Sequence, residues 1–267
     1  MIHSFSEACG STFPLVFRRA NELQSEPRLF FHDESLDKLI DGLRLGQLAF
    51  FYGSRRCLAI SELLCVRSQL DSRHGGLNSD TIFIDGGNSF DPYLLVQYTE
   101  EDLLDRNRTL DRTLVSRAFT CYQLTSLITQ LLPRAVHEGK IKLVVVSDVI
   151  DLYCDPDLRN NRSIDVFKTA LNTLVTTARA ERTIVVTTSL DKTVSGRFLH
   201  AIKQRVDIVV RFEGQESFTK LTLEASDSPW AEPNNQAVDT AGIGRIFRGR
   251  SMWVELFLHG EYSSKRN

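Results

Sequence analysis

The stretch Gln47-Leu48-Ala49-Phe50-Phe51-Tyr52-Gly53, continuing into Ser54-Arg55-Arg56-Cys57-Leu58-Ala59-Ile60, decides how the chain is read. Its first half is a short apolar run closed by glycine, the pattern of a buried strand entering a phosphate-binding turn. Its second half lacks what such a turn needs. A phosphate loop combines glycine-freed backbone N–H groups, a lysine ammonium on the terminal phosphates and a hydroxyl on Mg²⁺. No Gly-Lys-Ser/Thr follows Gly53.

Composition sets the bounds. With 267 residues, 42% of them hydrophobic, the chain can bury one large α/β core and carry short extensions. The formal net charge of −2 supplies no global field for polyanions, so any nucleic-acid contact must come from local basic clusters. The five cysteines are odd in number, have no Cys-x-x-Cys spacing and lie mostly in apolar runs, as expected of free thiols in a reducing compartment. There is no basic-then-apolar leader and no apolar run of about 18 residues. A cytoplasmic location is expected, nuclear in a eukaryote, with no membrane partner.

Apolar runs at 48–52, 81–85, 113–118, 142–147, 183–187 and 206–212 alternate with helical patterns, which predicts an α/β fold with a mainly parallel twisted sheet flanked by helices. Helices are expected over 33–43, over 120–137 with an inward stripe of Leu124, Leu127, Ile128, Leu131 and Leu132, and over 164–182. Residues 218–224 and 251–259 alternate more openly and predict antiparallel strands at the C-terminal edge of the sheet. The acidic run 100–105 reads as a solvated helix start or loop. His137 and His200 have no second ligand at metal spacing, so no metal site is expected.

Ordered segments then carry a resemblance. Ser35-Leu36-Asp37-Lys38-Leu39-Ile40-Asp41-Gly42 precedes the degenerate turn, Thr81-Ile82-Phe83-Ile84-Asp85-Gly86-Gly87-Asn88 follows it, and Ser116-Arg117-Ala118-Phe119 and residues 142–153 come after. From 33 to about 230 the chain resembles the ATPase core of the RecA/RadA recombinase superfamily, and within it a core-only, RadB-like paralogue of the RadA-type recombinases. The resemblance implies a RecA-like P-loop ATPase core at 33–230, an N-terminal arm at 1–32 and a C-terminal extension with an edge strand at 231–267. It also locates losses. The phosphate-loop lysine and hydroxyl fall among residues 56–60, the catalytic glutamate on Gly87, and the metal-ordering aspartate of the Walker B strand on Ser147. Asp148 follows one position late, where a slip on a strand turns a side chain to the opposite face. The γ-phosphate-sensing glutamine falls near Ser189.

Gly53, Ser54, Arg55, Arg56, Gly87, Ser147, Asp148 and Ser189 therefore mark a degenerate nucleotide site, with no catalytic residue, no enzymatic activity and no cofactor expected. ATP·Mg²⁺ would bind only if Arg55 or Arg56 paired with phosphate and Asp148 served the metal. Phe17-Arg18-Arg19-Ala20 resembles the Phe-x-x-Ala element through which RadA-type recombinases polymerise, which implies Phe17 and Ala20 as partner anchors. The loops at 155–163 and 191–204 offer Arg159, Arg162, Lys192, Arg197 and Lys203 as DNA-binding candidates, with Phe198 the one aromatic nearby. The implied function is a non-catalytic paralogue in homologous recombination and DNA repair. It would bind an active RadA-like recombinase or sibling paralogue as a homo- or hetero-oligomer and modulate its filament on single-stranded DNA. The alternatives are a nucleotide-binding switch or weak ATPase of the RecA/KaiC superfamily, and a direct single-stranded DNA binder.

Overall fold

The computed structural model describes residues 27–154, 160–191, 196–215, 218–224 and 238–243. Phe17, Ala20, Arg159, Lys192 and the expected strand at 251–259 lie outside them. Strands β1 (Arg28–Leu29) and β2 (Leu43–Arg44) form a small antiparallel ribbon around helix α1 (Glu34–Ile40). The main elements follow in chain order: β3 (Leu48–Gly53), α2 (Arg56–Arg67), β4 (Thr81–Asp85), α3 (Pro92–Glu101), α4 (Arg106–Asp111), β5 (Thr113–Arg117), α5 (Cys121–Ser126), α6 (Leu132–Gly139), β6 (Leu143–Ser147), α7 (Asn160–Glu181), β7 (Ile184–Leu190), α8 (Gly196–Lys203), β8 (Ile208–Gln215), β9 (Phe218–Glu224) and β10 (Val238–Ile243).

One sheet takes the order β10-β9-β8-β3-β7-β6-β4-β5. It is parallel from β8 to β5 and antiparallel through β9 and β10. The strand period of two divides the side chains between two cores. Phe50, Val144, Val146, Val185 and Val209 pack with Leu124, Ile128, Phe167 and Leu171. Ala49, Phe51, Phe83, Val145, Val186 and Val210 pack with Ile60, Leu64 and Leu95. Strand β6 is apolar on both faces because helices cover both, and burial of each valine there contributes about 1.5–3 kcal/mol. Cys57, Cys65 and Cys121 are buried free thiols and Cys154 is a half-buried one. No helix among the described residues is long and apolar enough to cross a membrane.

Several expectations need correction. The helix expected over 120–137 is interrupted by a π turn at Leu127–Leu131, next to Pro133, which has no N–H to donate. The extra residue makes Leu124, Ile128, Leu132 and Val136 the inward positions, and Leu131 is instead 59% exposed. The first helix stops at Ile40 because Asp41 and Gly42 turn left-handed, with φ of 56° and 70°, which frees Leu43 for β2. The core begins before residue 33, since Leu29 and Phe31 are fully buried. Among the described residues β10 is the edge strand beyond β9; the first candidate loop is already helical from Asn160 and the second from Gly196, so Arg162 lies in α7, and Arg197 and Lys203 lie in α8.

The acidic run also differs from its reading as a solvated segment. Asp105 does start a helix, accepting the N–H of Arg108, but Asp102 is buried in an ion pair with Arg67 of α2. Burial pushes the Asp102 carboxyl up and draws the Arg67 guanidinium down, while Arg67 Nε and Asp102 Oδ2 have no hydrogen-bond partner among the described residues. A buried pair of this kind is costly to break and cheap to replace. Arg67→Met alone should therefore destabilise by about 3 kcal/mol in urea unfolding, whereas Arg67→Met with Asp102→Leu should recover most of the loss. A double variant as unstable as the single one would refute this.

Candidate nucleotide site and open sheet edge

The site is the C-terminal end of β3, β7, β6 and β4. Gly53 has φ of 119°, and a Cβ there would stand 2.2 Å from the Phe212 carbonyl oxygen, so only glycine lets β3 and β8 approach this closely. Ser54 donates its N–H to that carbonyl at 2.8 Å. Only Ser54 and Arg55 separate Gly53 from the start of α2, and the N–H groups of Cys57 and Leu58 already bond to the Ser54 and Arg55 carbonyls at 3.1 Å. A phosphate cradle needs a longer turn whose N–H groups remain free for the ligand. Arg55 is exposed, and the charge of Arg56 acts on Tyr98 of α3. Cys57 Sγ is buried 3.7 Å from the Ser189 carbonyl, and burial drives its thiol pKa far upward, which excludes a thiolate nucleophile. Ser189 itself is buried in β7.

Asp85 closes β4 with its carboxylate fully surrounded. It accepts the N–H groups of Ser89 (2.9 Å) and Phe90 (3.3 Å), the hydroxyls of Ser89 (3.3 Å) and Ser147 (3.1 Å), and Arg117 Nε (3.0 Å). Burial works to raise its pKa, but these donors together hold it below the ordinary carboxylate range. Ser147 stands beside Asp85 in the β4–β6 register, so its hydroxyl is a donor to that carboxylate.

Asp148 departs from the simple slip. The strand has ended, Asp148 takes φ of 47°, and its Oδ1 accepts the Leu190 N–H at 3.1 Å. A Cβ on Gly87 would lie 2.2 Å from Asp148 Oδ2. The carboxylate has therefore turned across the end of the sheet into the volume that a side chain at position 87 would take.

Two further groups were not visible in the sequence. Glu62 on α2 is buried, with Oε1 accepting the Asp91 N–H at 3.0 Å and Oε2 without a partner among the described residues. Burial, reinforced by the charges of Asp91 and Asp85, pushes its pKa up to about 8 despite that hydrogen bond. At the other side of the site, Glu224 accepts the Tyr52 hydroxyl at 2.8 Å and pairs with Lys203 at 2.6 Å. Lys203 is thus engaged in an internal ion pair, contrary to its reading as a loop cation for DNA. Phe198 is a core residue, edge-on to Phe167 at 5.1 Å, and no stacking platform; Arg197 lies exposed over its ring at 5.0 Å. Among the described residues no group of three metal-ligating side chains forms, and His137 pairs with Glu181 at 3.0 Å.

The β5 end of the sheet is open among the described residues. Thr81 N–H bonds to the Arg112 carbonyl and Ala118 N–H to the Asp85 carbonyl, which sets the phase of the β4–β5 ladder. Alternate residues of a parallel strand bond to the same neighbour, so the N–H and C=O groups of Thr113, Val115 and Arg117 point outward. Leu114 and Val115 are 51% and 43% exposed, and Phe119 and Tyr122 continue the apolar surface.

Two outcomes follow from the site. In the unfolded chain Glu62 titrates near 4.5, so its contribution to stability is complete below that pH and is lost as pH rises through about 8. Glu62→Gln should flatten urea-measured stability over that window and stabilise the protein at pH 8.5 by an amount on the order of 1–3 kcal/mol; an unchanged pH slope would contradict it. Gly87→Ala should destabilise by about 1–3 kcal/mol through its clash with Asp148. Adding Asp148→Gly should remove that clash, since the Asp148 Cβ itself lies 2.6 Å from the added methyl and φ of 47° suits glycine, so strictly additive costs would show that the two positions do not share one space.

The Rad51 family model matches residues 30–222. A DNA repair protein RAD51 homolog of Solanum lycopersicum is 26% identical over 154 residues, which cover 55% of this chain and 45% of that protein. The meiotic recombination protein DMC1/LIM15 homolog of Homo sapiens is 26% identical over 160 residues, covering 57% and 47%. The chain spans about half the length of the curated relatives it matches. With a RecA-like core arranged as described and a family match over most of its length, the chain belongs to the Rad51 family.

Proposed function

We propose that this chain is a non-catalytic recombinase paralogue that acts in homologous recombination and DNA repair by binding an active Rad51-type recombinase or a sibling paralogue and modulating its filament on single-stranded DNA. The observation that carries this reading is the two-residue turn between β3 and α2, whose neighbouring N–H groups are already bonded within the chain. Phosphoryl transfer depends on positioned charge, and here the lysine is absent, Gly87 stands at the glutamate position and Asp148 fills the space beside it. The names of the relatives, which concern DNA repair and meiotic recombination, support the pathway.

Binding would use the open β5 edge as the acceptor for a neighbour's extended linker, a β-augmentation in which main-chain bonds supply affinity and side-chain pockets supply specificity. Phe17 and Ala20 would be this chain's own anchors on the other partner. The nucleotide-switch alternative predicts stabilisation by nucleotide. Melting of the purified protein should be unmoved by millimolar ATP·Mg²⁺, while a Rad51-family protein that retains the lysine shifts; a clear shift here would favour the switch. Val115→Pro removes an outward N–H that no described strand uses, which edge strands tolerate. This variant should keep its circular dichroism and lose at least about tenfold in affinity for the recombinase of the same organism, and unchanged affinity would sink the strand-addition reading.

A further inference from the structure

The corner between α3 and α4 carries an apolar side chain that the described core does not use. Leu103 is 92% exposed, the highest value for any large hydrophobic among the described residues. It also sits at φ of 56°, the left-handed region that a bulky branched side chain avoids. The corner around it is fixed on every side. Leu103 N–H bonds to the Glu100 carbonyl at 3.2 Å and Leu104 N–H to the Thr99 carbonyl at 3.0 Å, Asp102 is held by Arg67, and Asp105 caps α4. Glycine would satisfy the same backbone without strain. A single exposed leucine on relaxed backbone needs no explanation; one held in a strained turn with no packing in return among the described residues points to a contact outside them.

We infer that Leu103 is a docking knob that enters an apolar socket rimmed by lysine or arginine on the recombinase partner. Glu100 and Glu101 are exposed beside it at the C-terminal end of α3, where the helix dipole adds negative potential. The charge of Asp102 is turned inward to Arg67, and the cations Arg106 and Arg108 come only after Asp105. Negative charge is therefore confined to the α3 side of the knob, from which a cationic rim must approach. The corner also adjoins the open edge: α4 has six residues, roughly 9 Å of helix, and the next strand is β5. A partner that adds a strand to β5 comes within reach of Leu103, so this inference rests on the function proposed above and gives that partner a second, side-chain-specific contact.

The test uses the full chain and the purified active Rad51-family recombinase of the same organism, with affinity measured by surface-immobilised binding at low and high salt. Leu103→Gly should raise Tm by roughly 2–4 °C through relief of the strained turn and yet weaken binding about tenfold or more. Leu103→Met should keep the affinity. Glu100→Lys with Glu101→Lys should weaken binding at low salt and much less at high salt. If Leu103→Gly binds as tightly as the native chain while Val115→Pro does not bind, the knob is overturned and strand addition stands. If Leu103→Gly fails to bind and Val115→Pro binds normally, the knob stands and strand addition falls. No binding by the native chain overturns both.

Discussion

The carboxylate of Asp85 is the interaction on which the functional end of this molecule depends. It receives donors from the loop after β4, from β6 and from β5, so three neighbouring segments are fixed to one buried charge. In a doubly covered parallel sheet the apolar faces determine which strands are buried, but they do not determine how the strand ends are held. Here the ends are held by polar groups that satisfy each other. Asp148 bonding to Leu190, Ser54 N–H to Phe212 and Ser147 to Asp85 tie the strand ends to one another. A sheet of this kind can hold its strand ends without a ligand when their polar groups bond to one another within the chain.

The sequence made much of the architecture legible. The strands at 81–85 and 218–224 and the long helix near 164–182 were readable because their apolar periods are unbroken. The helices α2, α3 and α4 were not, and the reason lies in particular residues. Ser61 and Glu62 are buried in α2 among Ile60, Leu63 and Leu64, so the helical period is interrupted by polar side chains whose burial only the tertiary structure explains. The π turn beside Pro133 shifted the inward face by one residue, which a search at fixed helical spacing cannot register.

The candidate site shows the same division. Absence of the phosphate-loop lysine could be read directly, because it concerns residues adjacent in the chain. The seating of Asp148 against Gly87, the Lys203–Glu224 pair and the Arg67–Asp102 pair join residues 61, 21 and 35 positions apart, and no local pattern encodes them. Nor could the sequence say that β5 rather than another strand ends the sheet among the described residues, although that position makes Leu114 and Val115 a surface instead of a core.

The π turn has one more geometric effect. At about 100° per residue, four residues of α-helix overshoot a full turn by about 40°, so a row at positions 124, 128, 132 and 136 would wind around a regular helix and leave the sheet. A wider turn near the middle cancels part of that drift. Leu124, Ile128, Leu132 and Val136 can then lie along a single line on the strands beneath them, all within 2% of complete burial. In effect the segment behaves as an inserted residue accommodated without a loop, and the helix keeps a straight seam with the sheet while Leu131 is displaced to the outside.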